Sequence, residues 1–285
     1  MSVRLLVLDI DGTLLDPSGQ LTALTVQAVR DAVAHGCIVA LATGRRFRTA
    51  RPIADALGLE LPILVQNGAL IKDSRTGEVL YHRHLATAGA TCAIQYLWEA
   101  GAQPIIYENA FLGEGVFTGP ASRDGPVNGP YFDRYDGLQR HETMAALLPS
   151  EPPLEVSAVD DATRLKAIAP GLVHPGLRVI TTTYSSSAGF LEVLDAQCSK
   201  GEALLALAHR FDIAMAQTMA IGDNLNDLEL MMAAGIGIAM GNARPEVQAV
   251  ADIVTDSNAE DGVAMAISRH VLGRPVAGSR ILSPD

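Results

Sequence analysis

The stretch Leu5-Leu6-Val7-Leu8-Asp9-Ile10-Asp11-Gly12-Thr13-Leu14-Leu15 constrains this chain more than any other. An apolar run suited to a buried strand stops abruptly in two carboxylates, a glycine and a hydroxyl. Asp9 and Asp11 are two residues apart, so on an extended chain both side chains start from one face. Gly12 lets the backbone turn away at once. Two like charges this close are unfavourable alone and become reasonable around a divalent cation. An isolated Asp-x-Asp is more often a turn or a helix cap, and its position at the end of a buried strand is what gives it chemical weight.

The same grammar repeats downstream. Thr22 is placed to cap a helix with apolar positions Leu24, Ala28, Val29, Ala32 and Val33, which Gly36 ends. Cys37–Ala42 reads as a second buried strand, running into Thr43-Gly44-Arg45. A helix follows to about Leu57, with Pro52 expected to bend or interrupt it. Pro62–Gln66 is a third strand, ending at Asn67-Gly68. Apolar strands alternating with helices predict a doubly wound parallel α/β sheet, with ligands beyond the carboxyl ends of the strands. After Leu70 the pattern changes. Residues 70–82 read as a hairpin turning at Ser74-Arg75-Thr76-Gly77, and 86–100 as a helix. Residues 101–153, rich in Gly, Pro and aromatics, give no clear elements. Strand-like runs at 154–159, 178–183 and 189–194, with a helix near 162–169, suggest an antiparallel α+β insertion. The expected organisation is therefore a core from 1–83 and 191–285, with 84–190 inserted as a second domain.

The first grammar returns at Ser199-Lys200-Gly201, which opens a helix to about His209. Thr218–Ile221 is again an apolar strand followed by carboxylates, in Gly222-Asp223-Asn224-Leu225-Asn226-Asp227. A helix to Ala234, a strand at Ile236–Ala239, a helix from Arg244, a short strand at Ile253-Val254 and a helix over 259–272 complete the reading. The tail after Gly273 is expected to be weakly ordered.

Composition bounds the partners. A net charge of −11 over 285 residues argues against a nucleic-acid surface, and requires a metal or a local cation for any anionic substrate. Cys37, Cys92 and Cys198 are odd in number and far apart, which suits reduced, mostly buried thiols. The first apolar run is too short for a signal peptide, and no uncharged stretch reaches the ~20 residues a membrane span needs. A cytoplasmic protein, monomeric or homodimeric and off the membrane, is expected.

Four elements converge on one sheet edge: Asp9/Asp11, Thr43-Gly44, Lys200, and Asp223 with Asn226 and Asp227. Oxygen ligands without a His or Cys cluster favour Mg²⁺ over zinc. Thr43 and helix-start amides can hold phosphate oxygens, and Lys200 supplies a cation for a transferring group. A carboxylate can act as nucleophile, and the second of an Asp-x-Asp pair can protonate the leaving oxygen and then activate water. These parts suit phosphoryl transfer.

The set Asp9-Ile10-Asp11-Gly12-Thr13, Thr43-Gly44-Arg45, Lys200 and Gly222–Asp227 resembles the four motifs of the haloacid dehalogenase-like (HAD) superfamily. Ala42–Arg45, Asn67-Gly68-Ala69, Ser199–Leu204, Ala239–Ala243 and Asn258–Val263 resemble its Cof-like phosphatase branch. No motif position departs from the pattern. The resemblance implies a Rossmann-like core and a C2-type cap in the insertion. It also implies roles: Asp9 as nucleophile and Asp11 as general acid/base. Mg²⁺ would be held by the Asp9 carboxylate, the Asp11 carbonyl and Asp223. Thr43, Gly44, Lys200 and Asn226 would bind the phosphoryl group, with Asp227, Arg45 and Asn67 in support. The function expected is a Mg²⁺-dependent phosphatase of small phosphorylated metabolites, either sugar phosphates or phosphorylated cofactors. A phosphomutase, a specialised sugar-phosphate phosphatase and a non-catalytic metabolite-binding regulator are the alternatives. Outside the motifs, His82-x-His84 reads as a solvated hairpin end before it reads as a metal site. Arg46 and Arg48 read as a solvated helix face, and Met231-Met232 as core.

Overall fold

The computed structural model describes residues 2–111, 113–135, 137–183 and 187–274. In chain order its strands are β1 (Leu5–Asp9), β2 (Ile38–Ala42), β3 (Pro62–Val65), β4 (Leu70–Asp73), β5 (Val79–His82), β6 (Pro104–Tyr107) and β7 (Val116–Thr118). They continue with β8 (Leu138–Arg140), β9 (Glu155–Asp161), β10 (Leu177–Thr183), β11 (Ala188–Asp195), β12 (Thr218–Gly222), β13 (Ile236–Ala239) and β14 (Ile253–Val254). The helices are α1 (Ala23–Ala34), α2 (Phe47–Leu57), α3 (Thr87–Glu99), α4 (Asn128–Phe132) and α5 (Met144–Leu147). After these come α6 (Ala162–Ile168), α7 (Lys200–Arg210), α8 (Leu228–Ala233), α9 (Pro245–Gln248) and α10 (Gly262–His270). The chain divides into two compact units, Met1–Tyr81 with Ser199–Asp285, and His82–Cys198. Position 190, where the sequence reading places the second boundary, lies inside β11, which pairs with β10 through Gly189–Asp195 and with β9 through Ala188–Val193.

In the first unit the strands lie in the order β14-β13-β12-β1-β2-β3-β4-β5. The first six are parallel, and β4 turns back antiparallel on β3. Burial on both faces explains why these strands read as unbroken apolar runs. Leu5 and Val7 join Ala40, Ala42, Leu64 and Ala220 on the face covered by Leu204 and Leu207 of α7 and Leu230 of α8. Leu6, Leu8, Val39 and Leu41 alternate to the other face, where α1 packs on β2 and against α10. Asp9 continues the Leu5–Val7 parity, so its carboxylate emerges on the α7 side.

α1 begins where expected, with Thr22 Oγ1 accepting from Thr25 N at 3.1 Å. Pro52 sits inside α2, which runs unbroken from Phe47 to Leu57. The proline costs one backbone hydrogen bond without ending the helix, because Ala50, Ala54 and Leu57 remain on one buried face. Met231 is core, but its neighbour Met232 is 70% exposed, because successive helical residues point about 100° apart.

In the second unit the sheet order is β10-β11-β9-β6-β7-β8. It is antiparallel as expected except for its last pair, since β8 runs parallel to β7. Its core joins Ile94 and Leu97 of α3 and Leu165 of α6 to Ile106, Val156, Ala158, Leu191 and Val193. Among the described residues no helix is long and apolar enough to cross a membrane, and none of the three cysteines forms a disulfide. The tail from residue 275 onward lies outside the described residues.

Candidate active site

The carboxyl ends of β1, β2, β3 and β12 are adjacent because those strands are neighbours in register, with Asp9 beside Ala42 and Leu8 beside Ile221. The loops leaving them therefore crowd one edge. After β1 the chain coils tightly through Ile10–Leu14, with Gly12 at φ +86°. A Cβ on Gly12 would lie 2.5 Å from Asp223 Oδ2, so glycine is what lets the two acidic loops touch. Thr13 Oγ1 then donates to Asp223 Oδ1 at 2.9 Å.

Lys200 is the first residue of α7, directly after the cap Ser199, whose Oγ accepts from Glu202 N at 3.1 Å. A helix N-terminus is electrostatically poor for a cation. The fully buried ammonium is held there by two carboxylates, Asp9 Oδ1 and Asp227 Oδ1, each at 2.6 Å. Burial works against its charge, but Asp227 and Asp9 outweigh it and hold its pKa above the ordinary lysine range. Asp227 has no exposed surface, and its second oxygen accepts from Asp223 N and Asn224 N, both at 3.1 Å. Both Asp227 oxygens are thus engaged within the protein.

Asp9, Asp223 and Asp227 each offer a carboxylate oxygen within 4.8 Å of the others. Burial drives the Asp9 pKa well above the usual carboxylate range, against the pull of Lys200 and with help from Asp227 and Asp223. Burial and then Asp227 push Asp223 up to about 6. Three carboxylates against one ammonium make the cluster anionic, and its donors are all oxygen, which fits a hard divalent cation such as Mg²⁺. With Asp227 committed to Lys200 and the loop amides, Asp9 and Asp223 are the side chains left to hold a metal.

Asp11 points elsewhere. It is 56% exposed and paired with Arg45, whose Nε donates to Oδ2 at 2.7 Å and Nη2 to Oδ1 at 2.5 Å. Thr43 is buried, and its Oγ1 accepts from Arg45 N at 3.1 Å. Asn67 is buried beside this turn; its N–H donates to Thr43 O at 3.1 Å, and its Oδ1 accepts from Asn226 Nδ2 at 2.8 Å. A Cβ on Gly44 would lie 3.2 Å from Asn67 Oδ1. The motif residues thus form two hydrogen-bonded groups at this edge, one joining Asp9, Lys200, Asp227 and Asp223, the other joining Asp11, Arg45, Thr43, Asn67 and Asn226.

The sequence reading missed the braces. Asn242 Nδ2 donates to Gly12 O at 2.8 Å, while its Oδ1 accepts from Asn258 N at 2.9 Å. Asn258 Nδ2 donates to Leu15 O at 2.8 Å, so two asparagines clasp the turn that carries Asp11. Both lie in runs noted only as resemblances. Across the second unit's start, His82 and His84 stack with ring centroids 4.5 Å apart. His84 Nε2 accepts from Ala110 N at 3.2 Å, which occupies a lone pair a metal would need.

A sequence profile described as haloacid dehalogenase-like hydrolase matches residues 6–267. The chain is 30% identical to the 5-amino-6-(5-phospho-D-ribitylamino)uracil phosphatase YcsE of Bacillus subtilis, over 95% of this chain and 97% of that protein. It is 28% identical to the pyridoxal phosphate phosphatase YbhA of Escherichia coli, over 95% of this chain and 100% of that one. In structure it is similar to a haloacid dehalogenase-like hydrolase from Bacteroides thetaiotaomicron, with a TM-score of 0.77, 25% identity, and coverage of 94% and 99% of the two chains.

Proposed function

This chain belongs to the haloacid dehalogenase-like hydrolases, and from that premise we propose that it is a phosphatase of small phosphorylated metabolites that works through an aspartyl-phosphate on Asp9 with Mg²⁺. The observation that carries this reading is Lys200 pinned between Asp9 and Asp227 at the end of a parallel sheet. That placement sets a nucleophile and a charge-neutralising cation within one hydrogen bond of each other.

Asp9 attacks phosphorus, forming an Asp9 Oδ–P bond as the ester oxygen leaves and takes a proton from Asp11, which carries that proton only when its pair with Arg45 has opened. Asp11, now a carboxylate, accepts a proton from the water that attacks the phosphorus, which releases phosphate and regenerates Asp9. Thr43, the Gly44 amide, Lys200 and Asn226 bind the phosphoryl oxygens. Asp9, Asp223 and the Asp11 carbonyl would hold Mg²⁺, which supplies charge neutralisation for the transferring group. Selection among sugar phosphates and phosphorylated cofactors would fall to the inserted unit, since the first unit contains all the transfer residues named here.

The test is phosphate release from an aryl phosphate with Mg²⁺, then with chelator, for wild type and Asp9→Asn. Release should stop in chelator, return with Mg²⁺ and be absent in the variant, and beryllium fluoride should form an adduct on Asp9 of the wild type. Ordinary turnover by Asp9→Asn would remove the nucleophile assignment.

A further inference from the structure

Three consecutive residues after β3, Gln66, Asn67 and Gly68, have positive φ, at +49°, +53° and +96°. For the two that carry a Cβ this is a strained conformation, costing roughly 1–2 kcal/mol each. Gly68 is required for a different reason: a Cβ there would lie 2.3 Å from Ser199 O, at the start of α7. The turn is buried along its length and anchored to the loop after β2, by Gln66 N to Arg45 O at 2.9 Å and Asn67 N to Thr43 O at 3.1 Å. A chain that only needed to reverse from β3 into β4 has cheaper turns available. What the left-handed path achieves is to set the Asn67 amide against Gly44, with Oδ1 receiving Asn226 Nδ2 at 2.8 Å.

We infer that Asn67 is a positioning residue that ties Asn226 to the Thr43-Gly44-Arg45 turn, so that two loops from opposite sides of β1 present one phosphate-binding surface. The inference rests on the reading of Thr43, Gly44 and Asn226 as phosphate binders. Asn226 is half-buried on a loop after β12, and its hydrogen bond to Asn67 is what aims its amide. Without that acceptor its donor competes for water, and phosphate binding must first re-order the side chain. The effect therefore falls on affinity more than on the chemical step.

Asn67→Gly separates the side chain from the backbone, because glycine keeps the positive φ without strain and deletes the amide. KM and Kd are to be compared among wild type, Asn67→Gly, Asn226→Ala and the double variant, with Kd taken for inorganic phosphate in Mg²⁺ by thermal shift. Asn67→Gly is expected to raise both about tenfold, the scale of one net hydrogen bond, and to leave kcat within about threefold. The double variant should be no worse than Asn226→Ala. Wild-type KM and Kd in Asn67→Gly, or losses that multiply in the double variant, overturn the inference. Should the glycine variant not fold, Asn226→Ala decides alone, and unchanged phosphate affinity there is equally fatal. If wild type bound phosphate but released none from an ester, the proposed activity would fall and the affinity comparison would still stand.

Discussion

Arg45 grips Asp11 through two parallel hydrogen bonds, 2.7 Å from Nε and 2.5 Å from Nη2, while the carboxylate stays more than half exposed. The fork fixes the plane and direction of a side chain that would otherwise rotate freely at the rim. Arg45→Lys keeps the charge and loses the fork. It is expected to lower kcat about tenfold with little change in KM, read by steady-state kinetics on an aryl phosphate. An unchanged kcat would mean that Asp11 needs no such orientation.

Lys200→Met removes the cation that two buried carboxylates share. Breaking a buried pair costs ~3–5 kcal/mol, and here two acids are left uncompensated. The variant should unfold at markedly lower temperature without metal, recover part of the loss in Mg²⁺, and turn over ~10²–10³-fold more slowly. Calorimetry with and without Mg²⁺ checks the first two outcomes, and a rate assay the third.

Metal linkage gives an independent reading of the acidic cluster. Mg²⁺ at a hundred times its Kd should stabilise the wild type by about 2.7 kcal/mol. Asp223→Asn should need a far higher Mg²⁺ concentration for the same thermal shift. An equal response in both proteins would place the metal elsewhere.

His84 predicts an acid sensitivity seated in the second unit. Burial, and then His82, push its pKa from 6.5 down to about 4. Between those values the unfolded chain binds a proton that the folded chain refuses, so stability is present above about 6.5 and falls as pH drops toward 4. His84→Asn should flatten the stability-versus-pH curve in that window, measured by thermal melts at constant ionic strength. An identical slope in wild type and variant would show that other groups drive the acid transition.

The edge that carries the candidate site was legible in the sequence because each contributing strand is short, apolar and ends in a polar turn. Residues 101–153 were not. Strands of three or four residues such as Val116–Thr118 and Leu138–Arg140 carry no usable period. What secures them is tertiary: Asp124 pairs with Arg140 at 2.7 Å and accepts from Gln103 at 2.7 Å, and Arg123 stacks on Trp98 at 3.8 Å. The clasp of Asn242 and Asn258 on the Asp11 turn was invisible for the same reason. Likewise, Asp261 has φ +57° and receives Thr22 Oγ1, joining the start of α10 to the start of α1 across most of the chain.

The pairing of β1 on both edges also sets an order of assembly. Leu5 is in register with Ile38 on one side and with Thr218 on the other. As the chain leaves the ribosome, β1 can find β2 early, but its second edge has no partner until β12 has been made. The contiguous segment from His82 to Cys198 is complete before then and can fold first. During that interval a hydrophobic strand edge is bare and invites mispairing. Lys200, Asp223 and Asp227 follow Asp9 and Asp11 by about 190 residues or more, so under the proposed mechanism the nascent chain holds two aspartates for a long interval without the groups proposed to activate them.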